Sequence, residues 1–183
     1  MKHIGSDNEP ELVRRMQSGD HEAMRTVYEM HAGYLAAVCS RYVVDGEDVR
    51  DVLQESFVRI FSGIGSFRPA EKGSLKSWMT RIVVNESLKF IRRRDVLGFA
   101  GAVEDIPDCP DTEPETEKVP FPLLLEMIRS LPAGYRTVFN LVVFERKSHK
   151  EVALMLGIKE GTSASQFHRA KAMLARKISE HLT

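Results

Sequence analysis

The side chains best suited to recognise nucleic acid lie near the end of the chain, in a segment that begins at Ser148. Ser148 and Glu151 have the spacing of a helix-capping box, and Gly157 fits the left-handed turn that ends a helix. A second helix after this turn would present four outward side chains, Ser163, Gln166, Arg169 and Lys171. Such side chains can reach base edges and phosphates, and a glutamine can pair with adenine through two hydrogen bonds. The spacing predicts a helix-turn-helix; a plain helical hairpin is the alternative.

A second candidate segment joins a loop that begins at Phe67 to a basic helix that contains Trp78 and Phe90. Among the other side chains of this helix are Arg81, Asn85, Lys89, Arg92, Arg93 and Arg94. Aromatic faces can stack on bases while Arg and Lys hold phosphates, as single-strand binding requires. The alternative places Trp78 and Phe90 in the core and makes the arginines a solvated helix end that complements the helix dipole. For Trp78 the core position is favoured.

A third candidate surface is a row of carboxylates, Asp48, Asp51 and Glu55, with Gln54 beside it. The carboxylates recur at helical spacing next to an apolar stripe, so one helix edge would carry all of them. Such an edge could accept paired hydrogen bonds from arginines of a partner. A solvated helix face explains the same pattern, and the residues alone do not separate the two.

These candidate sites need helices to position them, and the apolar spacing predicts helices throughout. The expected spans are 20–42, 45–64 and 75–95, with Ser74 as an N-cap, and three further helices are expected after Leu123. Hairpin dipeptides and sustained alternation are almost absent. The sequence therefore predicts an all-α fold of two small helical domains.

Composition and charge define the boundary between these domains. The 183 residues are 43% hydrophobic and 28% charged, with a net charge of zero. Residues 1–98 carry a net charge of +1, residues 99–122 carry −6 and residues 123–183 carry +5. The acidic stretch contains prolines and no periodic apolar set, which predicts a flexible linker over 98–122. The expected domains are therefore 1–97 and 123–183.

Several classes of protein are excluded by the same composition. No run of about 18 apolar residues is present, so we expect no membrane insertion. The first residues lack the apolar core of a secretory signal, so a cytoplasmic protein is expected. Cys39 and Cys109 are too few for a disulfide scaffold and lack the spacing of a zinc site. Neither a catalytic triad nor a metal cluster nor a phosphate-binding loop is apparent, so the sequence predicts no enzyme, no metal and no cofactor.

Taken in order, these segments resemble the extracytoplasmic-function (ECF) group of bacterial RNA polymerase sigma factors, within the sigma-70 family. The resemblance runs from about Glu11 to Ile178. Residues 45–61 resemble the core-binding helix of the family, and Phe67 followed by Trp78–Asn85 resembles its helix for the −10 element. Residues 131–139 and 148–176 resemble region 4, which reads the −35 element. In the family, regions 2 and 4 are separate helical domains, here 1–97 and 123–183.

The resemblance implies core RNA polymerase and promoter DNA as partners, and it allows an anti-sigma factor. It implies four core polymerase contacts, Asp48, Asp51, Gln54 and Glu55. For the −10 element it implies Phe67, Arg68, Lys76, Trp78, Arg81, Asn85, Lys89, Arg92 and Arg93, with the loop at 67–77 capturing a flipped base. For the −35 element it implies Ser148, Thr162, Ser163, Ser165, Gln166, Arg169 and Lys171.

The expected function is that of an alternative sigma factor, which binds core polymerase, directs it to −35 and −10 elements and helps to melt the DNA. The recognition helix departs from the family pattern, because Ser163 stands where a core valine is usual and two basic contacts are missing. Lys159 stands where a capping serine is expected. A stand-alone helix-turn-helix regulator is the alternative function.

Overall fold

The computed structural model describes residues 9–94 and 119–182, and within these ranges the chain is helical without a strand. The all-α prediction is confirmed. The helices are α1 (Glu9–Gln17), α2 (His21–Ser40), α3 (Gly46–Gly63), α4 (Ser74–Arg93), α5 (Phe121–Arg129), α6 (Ala133–Val143), α7 (His149–Leu156) and α8 (Glu160–Leu182). A short 3-10 turn, Ile64–Ser66, follows α3.

The chain forms two compact units that divide between Phe90 and Ile91. Most of the predicted linker, residues 98–118, and Cys109 with it lie outside the described residues. Helix α5 begins at Phe121, two residues before the expected start of the second domain.

Local capping explains where α2 and α3 begin. The Asp20 carboxylate accepts hydrogen bonds from the backbone N–H groups of Glu22 and Ala23, at 2.9 and 3.2 Å. Asp45 does the same for the N–H groups of Glu47 and Asp48, at 2.9 and 3.0 Å. Each bond satisfies a backbone donor that the first helical turn leaves without a partner. Both helices therefore begin within a residue of the positions predicted from the sequence.

Helix α4 begins differently from the prediction. Ser74 is its first helical residue rather than its N-cap, and the Ser74 hydroxyl donates to a carboxylate oxygen of Glu9, at 3.0 Å. The buried face of α4 in the first unit contains Leu75, Met79 and Val83. Because this face packs into the core, the opposite side of α4 is open to solvent.

The second unit is built around a cluster of five buried residues from α5, α6, α8 and the connection after α5, Ile128, Leu131, Tyr135, Ala170 and Leu174. Arg136 is buried beside this cluster, and its Nη1 donates to the carbonyls of Arg129 and Leu131 at 2.9 and 2.8 Å. Burial lowers the pKa of Arg136, and nearby Arg129 adds to the effect. The arginine satisfies carbonyls at the end of α5 and so sets the turn into α6. Helices α5 to α8 lie in the described range of this unit, and the 157–159 turn that the helix-turn-helix spacing predicts divides the third expected helix into α7 and α8.

Candidate nucleic-acid interface

The capping box at the start of α7 is present as predicted. The Ser148 hydroxyl accepts from the N–H of Glu151 at 3.3 Å, and Glu151 Oε2 accepts from the Ser148 N–H and hydroxyl, both at 2.9 Å. These hydrogen bonds, with a further one from Lys147, lower the pKa of Glu151 to about 2. The hydroxyl of Ser148 therefore takes part in the cap, and any contact that it makes to DNA must compete with this cap.

The turn between α7 and α8 also matches its prediction. Gly157 adopts the left-handed conformation, with φ of 69°, and its N–H donates to the carbonyl of Ala153. A side chain at this backbone conformation would be strained, which explains the glycine. Ile158 follows and is half-buried. The helix-turn-helix that the spacing predicts is therefore formed.

The orientation of α8 corrects the expectation that Ser163 and Gln166 face outward. Ser163 is 0% exposed and Gln166 is 9% exposed. Both lie on the same side of α8 as Ala170 and Leu174, at intervals of three and four residues, and that side packs into the core. A buried Gln166 cannot pair with adenine in this conformation.

A polar contact explains why the core accepts Ser163. The Ser163 hydroxyl lies 3.0 Å from Nδ1 of His149, the first residue of α7. The rings of His149 and Phe167 lie 5.6 Å apart, and Phe167 stacks on Phe139 at 5.9 Å. Burying a hydroxyl without a hydrogen-bond partner costs free energy, and His149 supplies that partner. The polar contact replaces the apolar packing that a core valine would make at this position. Sequence reasoning missed the role of His149.

The face of α8 that is open to solvent consists of other residues. Ala164, Ser165, His168 and Lys171 are exposed, while Thr162 and Arg169 are partly exposed. The hydroxyl of Ser165 donates to the carbonyl of Thr162 within the helix, at 3.0 Å. Lys171 Nζ lies 5.4 Å from the centre of the Phe167 ring. Sequence reasoning missed His168 as a member of this face. Its spacing of three residues from both Ser165 and Lys171 could have predicted that it lies beside them.

The segment between the 3-10 turn and α4, residues 67–73, corrects a second expectation. Phe67 is 8% exposed and packs on Trp78, with the ring centres 5.0 Å apart. Phe67 is therefore a support beneath the segment rather than an exposed stacking surface. Arg68 is exposed, and its Nη1 donates to the carbonyls of Gly65 and Phe67 at 2.9 and 3.0 Å. Lys76 Nζ lies over the Tyr34 ring, 3.8 Å from its centre.

One long face of α4 gathers most of the remaining candidates. Arg81, Asn85 and Arg92 are exposed at helical spacing, and Lys89 between them is partly exposed. Arg93 is exposed as well. Lys89 Nζ donates to Glu86 Oε1 at 2.8 Å, so part of its charge is neutralised. This face combines cations with an amide, as phosphate and base contacts require.

The carboxylate edge predicted on α3 is present. Asp51, Gln54 and Glu55 are exposed, and Asp48 is partly exposed. Glu55 pairs with Arg59 at 3.3 Å.

Glu86 of α4, which sequence reasoning missed, connects this edge to α4. Arg59 Nε lies 3.0 Å from Glu86 Oε1, and the Glu86 side chain is only 8% exposed. Glu86 also pairs with Lys89, so one buried carboxylate links α3 to the cationic face of α4.

Among the described residues, no group of three or more His, Cys, Asp or Glu side chains could hold a metal ion. In the same parts of the chain, no helix is long and apolar enough to cross a membrane.

Comparison with known families gives two matches in chain order. The family described as sigma-70 region 2 matches residues 27–96, and the one described as sigma-70 region 4 matches residues 122–174. The first match contains α3, the 67–73 segment and α4, and the second contains the helix-turn-helix.

Curated relatives agree with these matches. An ECF RNA polymerase sigma factor SigE of Mycolicibacterium smegmatis is 28% identical over 172 residues, which cover 90% of this chain and 66% of the relative. The ECF RNA polymerase sigma-E factor of Haemophilus influenzae is 28% identical over 183 residues, covering 91% and 93%. Its counterpart in Escherichia coli K12 is 29% identical over 181 residues, covering 91% and 92%.

A solved structure has the same fold. CnrH, determined in complex with the cytosolic domain of CnrY, is 23% identical to this chain with a TM-score of 0.51, and the alignment covers 95% of this chain and 99% of CnrH. Regions 2 and 4 occur in one chain, in order, together with similarity to ECF sigma factors over 90–91% of this chain. The chain therefore belongs to the extracytoplasmic-function group of the sigma-70 family of RNA polymerase sigma factors.

Proposed function

We propose that this ECF sigma factor binds core RNA polymerase with α3 and promoter DNA with α4, the 67–73 segment and α8. It thereby directs transcription initiation from −35 and −10 elements. The observation that carries the proposal is the occurrence of regions 2 and 4 in one chain. A stand-alone helix-turn-helix regulator is not favoured, because it would leave the region 2 match without a use.

The polymerase contact is proposed for the carboxylate edge of α3. Asp51, Gln54 and Glu55 are exposed on one side of the helix, and Asp48 extends the edge toward its first turn. Carboxylates in this arrangement accept paired hydrogen bonds from arginines, and an amide beside them can donate or accept. The partner surface should therefore be basic.

The −10 contact is proposed for α4 and the 67–73 segment. Arg81, Asn85, Lys89, Arg92 and Arg93 provide one cationic and polar surface on α4. Capture of a flipped base is assigned to the 67–73 segment, with Arg68 and Lys76 as exposed polar groups near its ends. Phe67 and Trp78 support this segment from within, since Phe67 is buried against Trp78.

The −35 contact is proposed for the exposed face at the start of α8. Thr162, Ser165, Arg169 and Lys171 remain the candidates, and His168 joins them. The second helix of a helix-turn-helix reads bases with its N-terminal residues. The short side chains at Ala164 and Ser165 suit apolar or single-bond contacts, while Arg169 and Lys171 suit phosphates.

Further parts of the proposal follow from the family. The proposed domains are 1–97 and 123–183, the second of them extended to the start of α5 at Phe121, with the linker between them. The protein is proposed to act in the cytoplasm without catalysing a reaction itself. An anti-sigma factor is a candidate partner that co-purification would test.

Transcription in vitro tests the function directly. Purified chain and core polymerase are mixed with a library of promoters that vary at the −35 and −10 positions. We expect transcripts from a subset with defined sequences at both elements. Failure of the chain to bind core polymerase, with specific binding to duplex DNA retained, would instead support the stand-alone regulator.

A further inference from the structure

Helix α1 contacts the 67–73 segment at both of its ends. At the first end, Gln17 Nε2 donates to the carbonyls of Ile64 and Phe67, at 3.0 and 2.9 Å. These acceptors lie 47 and 50 residues away along the chain. Gln17 therefore joins the end of α1 to the point where the 3-10 turn opens into the segment.

At the second end, Glu9 holds the start of α4. Glu9 Oε2 accepts from the N–H of Gly73 and Oε1 accepts from the N–H of Leu75, both at 2.9 Å. The Ser74 hydroxyl donates to Oε1 as well, at 3.0 Å. A carboxylate at a helix N-terminus satisfies unpaired backbone donors and is favoured by the helix dipole. Glu9 thus replaces a local N-cap for α4.

The two contacts come from one side of a single short helix. Glu9 and Gln17 are the first and last residues of α1, and Val13 between them is 1% exposed. Residues spaced by four lie on the same helix face, so the buried Val13 anchors α1 while its ends hold the segment. A groove of about 590 Å³ separates α1 from the middle of the segment, and Pro69 and Lys72 line it.

The middle of the segment is open to solvent, and two local hydrogen bonds link it to the start of α4: the Ala70 N–H donates to the Ser74 hydroxyl at 3.4 Å, and the Ser74 N–H donates to the Glu71 carbonyl at 3.1 Å. Residues 68–72 are all exposed. A stretch of this kind samples many conformations unless its ends are fixed, and ordering it costs conformational entropy. The hydrogen bonds from Glu9 and Gln17 reduce that cost before DNA arrives, as preorganised binding sites do.

We infer that Glu9 and Gln17 are positioning residues for −10 recognition, which hold the 67–73 segment in its DNA-reading conformation. This inference rests on the proposed role of the segment at the −10 element. Neither residue lies within the region 2 match, which begins at residue 27.

Glu9→Gln tests one contact in the full chain. The amide side chain keeps one oxygen and loses the charge, so at least one backbone donor of Gly73 or Leu75 loses its strong acceptor. We expect hydrogen exchange of these two amides to rise about tenfold, while amides in the middle of α4 are unchanged. With core polymerase, base preference at the −10 element should flatten several-fold and preference at −35 should stay as in the wild type.

Two more variants separate positioning from a general loss of structure. Gln17→Glu keeps the size of the side chain but cannot donate to the Ile64 and Phe67 carbonyls, so it should flatten the −10 preference as well. Glu11→Gln is the matched control, because Glu11 lies on the same helix and its carboxylate pairs with Arg14 at 3.5 Å on the surface, away from the 67–73 segment. It should change neither exchange nor base preference.

Three results would overturn the inference. Unchanged exchange at Gly73 and Leu75 in Glu9→Gln would show that the carboxylate does not hold α4. Suppose that exchange at Gly73 and Leu75 is faster in Glu9→Gln, but that both variants keep the wild-type base preference at the −10 element. The contacts would then not position the segment for reading. A wild-type protein that binds core polymerase but has no −10 preference would remove the proposed function itself, and that result is distinguishable because the exchange data are obtained without DNA.

Discussion

Nδ1 of His149 lies 3.0 Å from the hydroxyl of Ser163, and this contact joins the first residue of α7 to the buried side of α8. The two helices form the helix-turn-helix, so the contact helps to set the angle between them. It does so with a polar pair in a place where an apolar residue is usual in the family.

The first prediction concerns this pair. Ser163→Ala removes the hydroxyl, and we expect the second unit to lose about 1 kcal/mol of stability, the usual net value of a hydrogen bond. His149→Ala should cost a similar amount, and the double variant less than the sum, because both substitutions remove the same contact. Hydrogen exchange of the α8 amides measures each effect. Strict additivity would show that the two side chains do not interact.

The second prediction concerns Gln166. Its Oε1 is buried without a hydrogen-bond partner, so a similar apolar side chain should be tolerated. We expect Gln166→Leu to leave stability unchanged or to raise it, and to leave base preference at every −35 position as it was. Lys171→Ala is the comparison, because Lys171 is exposed on the proposed DNA face and its loss should weaken binding to all sequences. A change at a single −35 position in Gln166→Leu would restore a base-reading role.

The third prediction concerns polymerase binding. Asp51→Arg places a like charge against the basic partner that we propose for α3, which costs several kcal/mol. Asp51 is preferable to Glu55 for this test, since Glu55 also pairs with Arg59 within the helix. Affinity for core polymerase should fall by at least a hundredfold with helical content unchanged. Glu180→Arg, a charge reversal near the end of α8 that also breaks a surface ion pair with Arg176, should bind core polymerase normally. Equal affinities for the two variants would reject the α3 interface.

The fourth prediction concerns Arg93, which is exposed near the end of α4. Arg93→Ala should weaken promoter binding by the polymerase complex on all sequences and lower the salt dependence by about one unit of slope. Affinity measured at several salt concentrations, on a preferred and an unrelated promoter, checks this. A loss confined to the preferred promoter would mean that Arg93 reads sequence.

The fifth prediction concerns pH. The pKa of Glu151 is lowered to about 2 by its hydrogen bonds to Ser148, so the folded state favours the ionised form. The stabilisation from this cap is therefore complete above the ordinary glutamate pKa of 4.5 and is lost as the pH falls through about 2. A carboxyl-carbon titration followed by NMR should give a midpoint near 2. A midpoint close to 4.5 would contradict the cap.

Sequence reasoning succeeded where the structural cause is local. Asp20, Asp45 and Ser148 begin their helices through bonds to residues two or three positions ahead, and Gly157 ends α7 through its own backbone. These causes can be read from neighbouring residues, and for this reason the starts of α2, α3 and α7 were predicted closely.

Sequence reasoning failed where a distant residue supplies the partner. The helix-turn-helix spacing predicts an outward Ser163, yet His149, 14 residues earlier, makes its burial possible. The resemblance implies a DNA contact for Phe67, yet its ring is buried and packs on Trp78. The cap of α4 was assigned to Ser74, while the acceptor is Glu9, 65 residues away. Only tertiary packing determines these three contacts.

The contacts made by α1 matter for anyone who prepares a shortened version of this protein. The match to region 2 suggests a convenient fragment of residues 27–96. Such a fragment would omit both Glu9 and Gln17. It would lose the acceptor for the donors of Gly73, Ser74 and Leu75, and the donor to the carbonyls of Ile64 and Phe67. A fragment that begins ahead of Glu9 retains these hydrogen bonds. Only in such a fragment does the 67–73 segment keep the conformation that it has in the whole chain, so promoter recognition should be measured with that fragment.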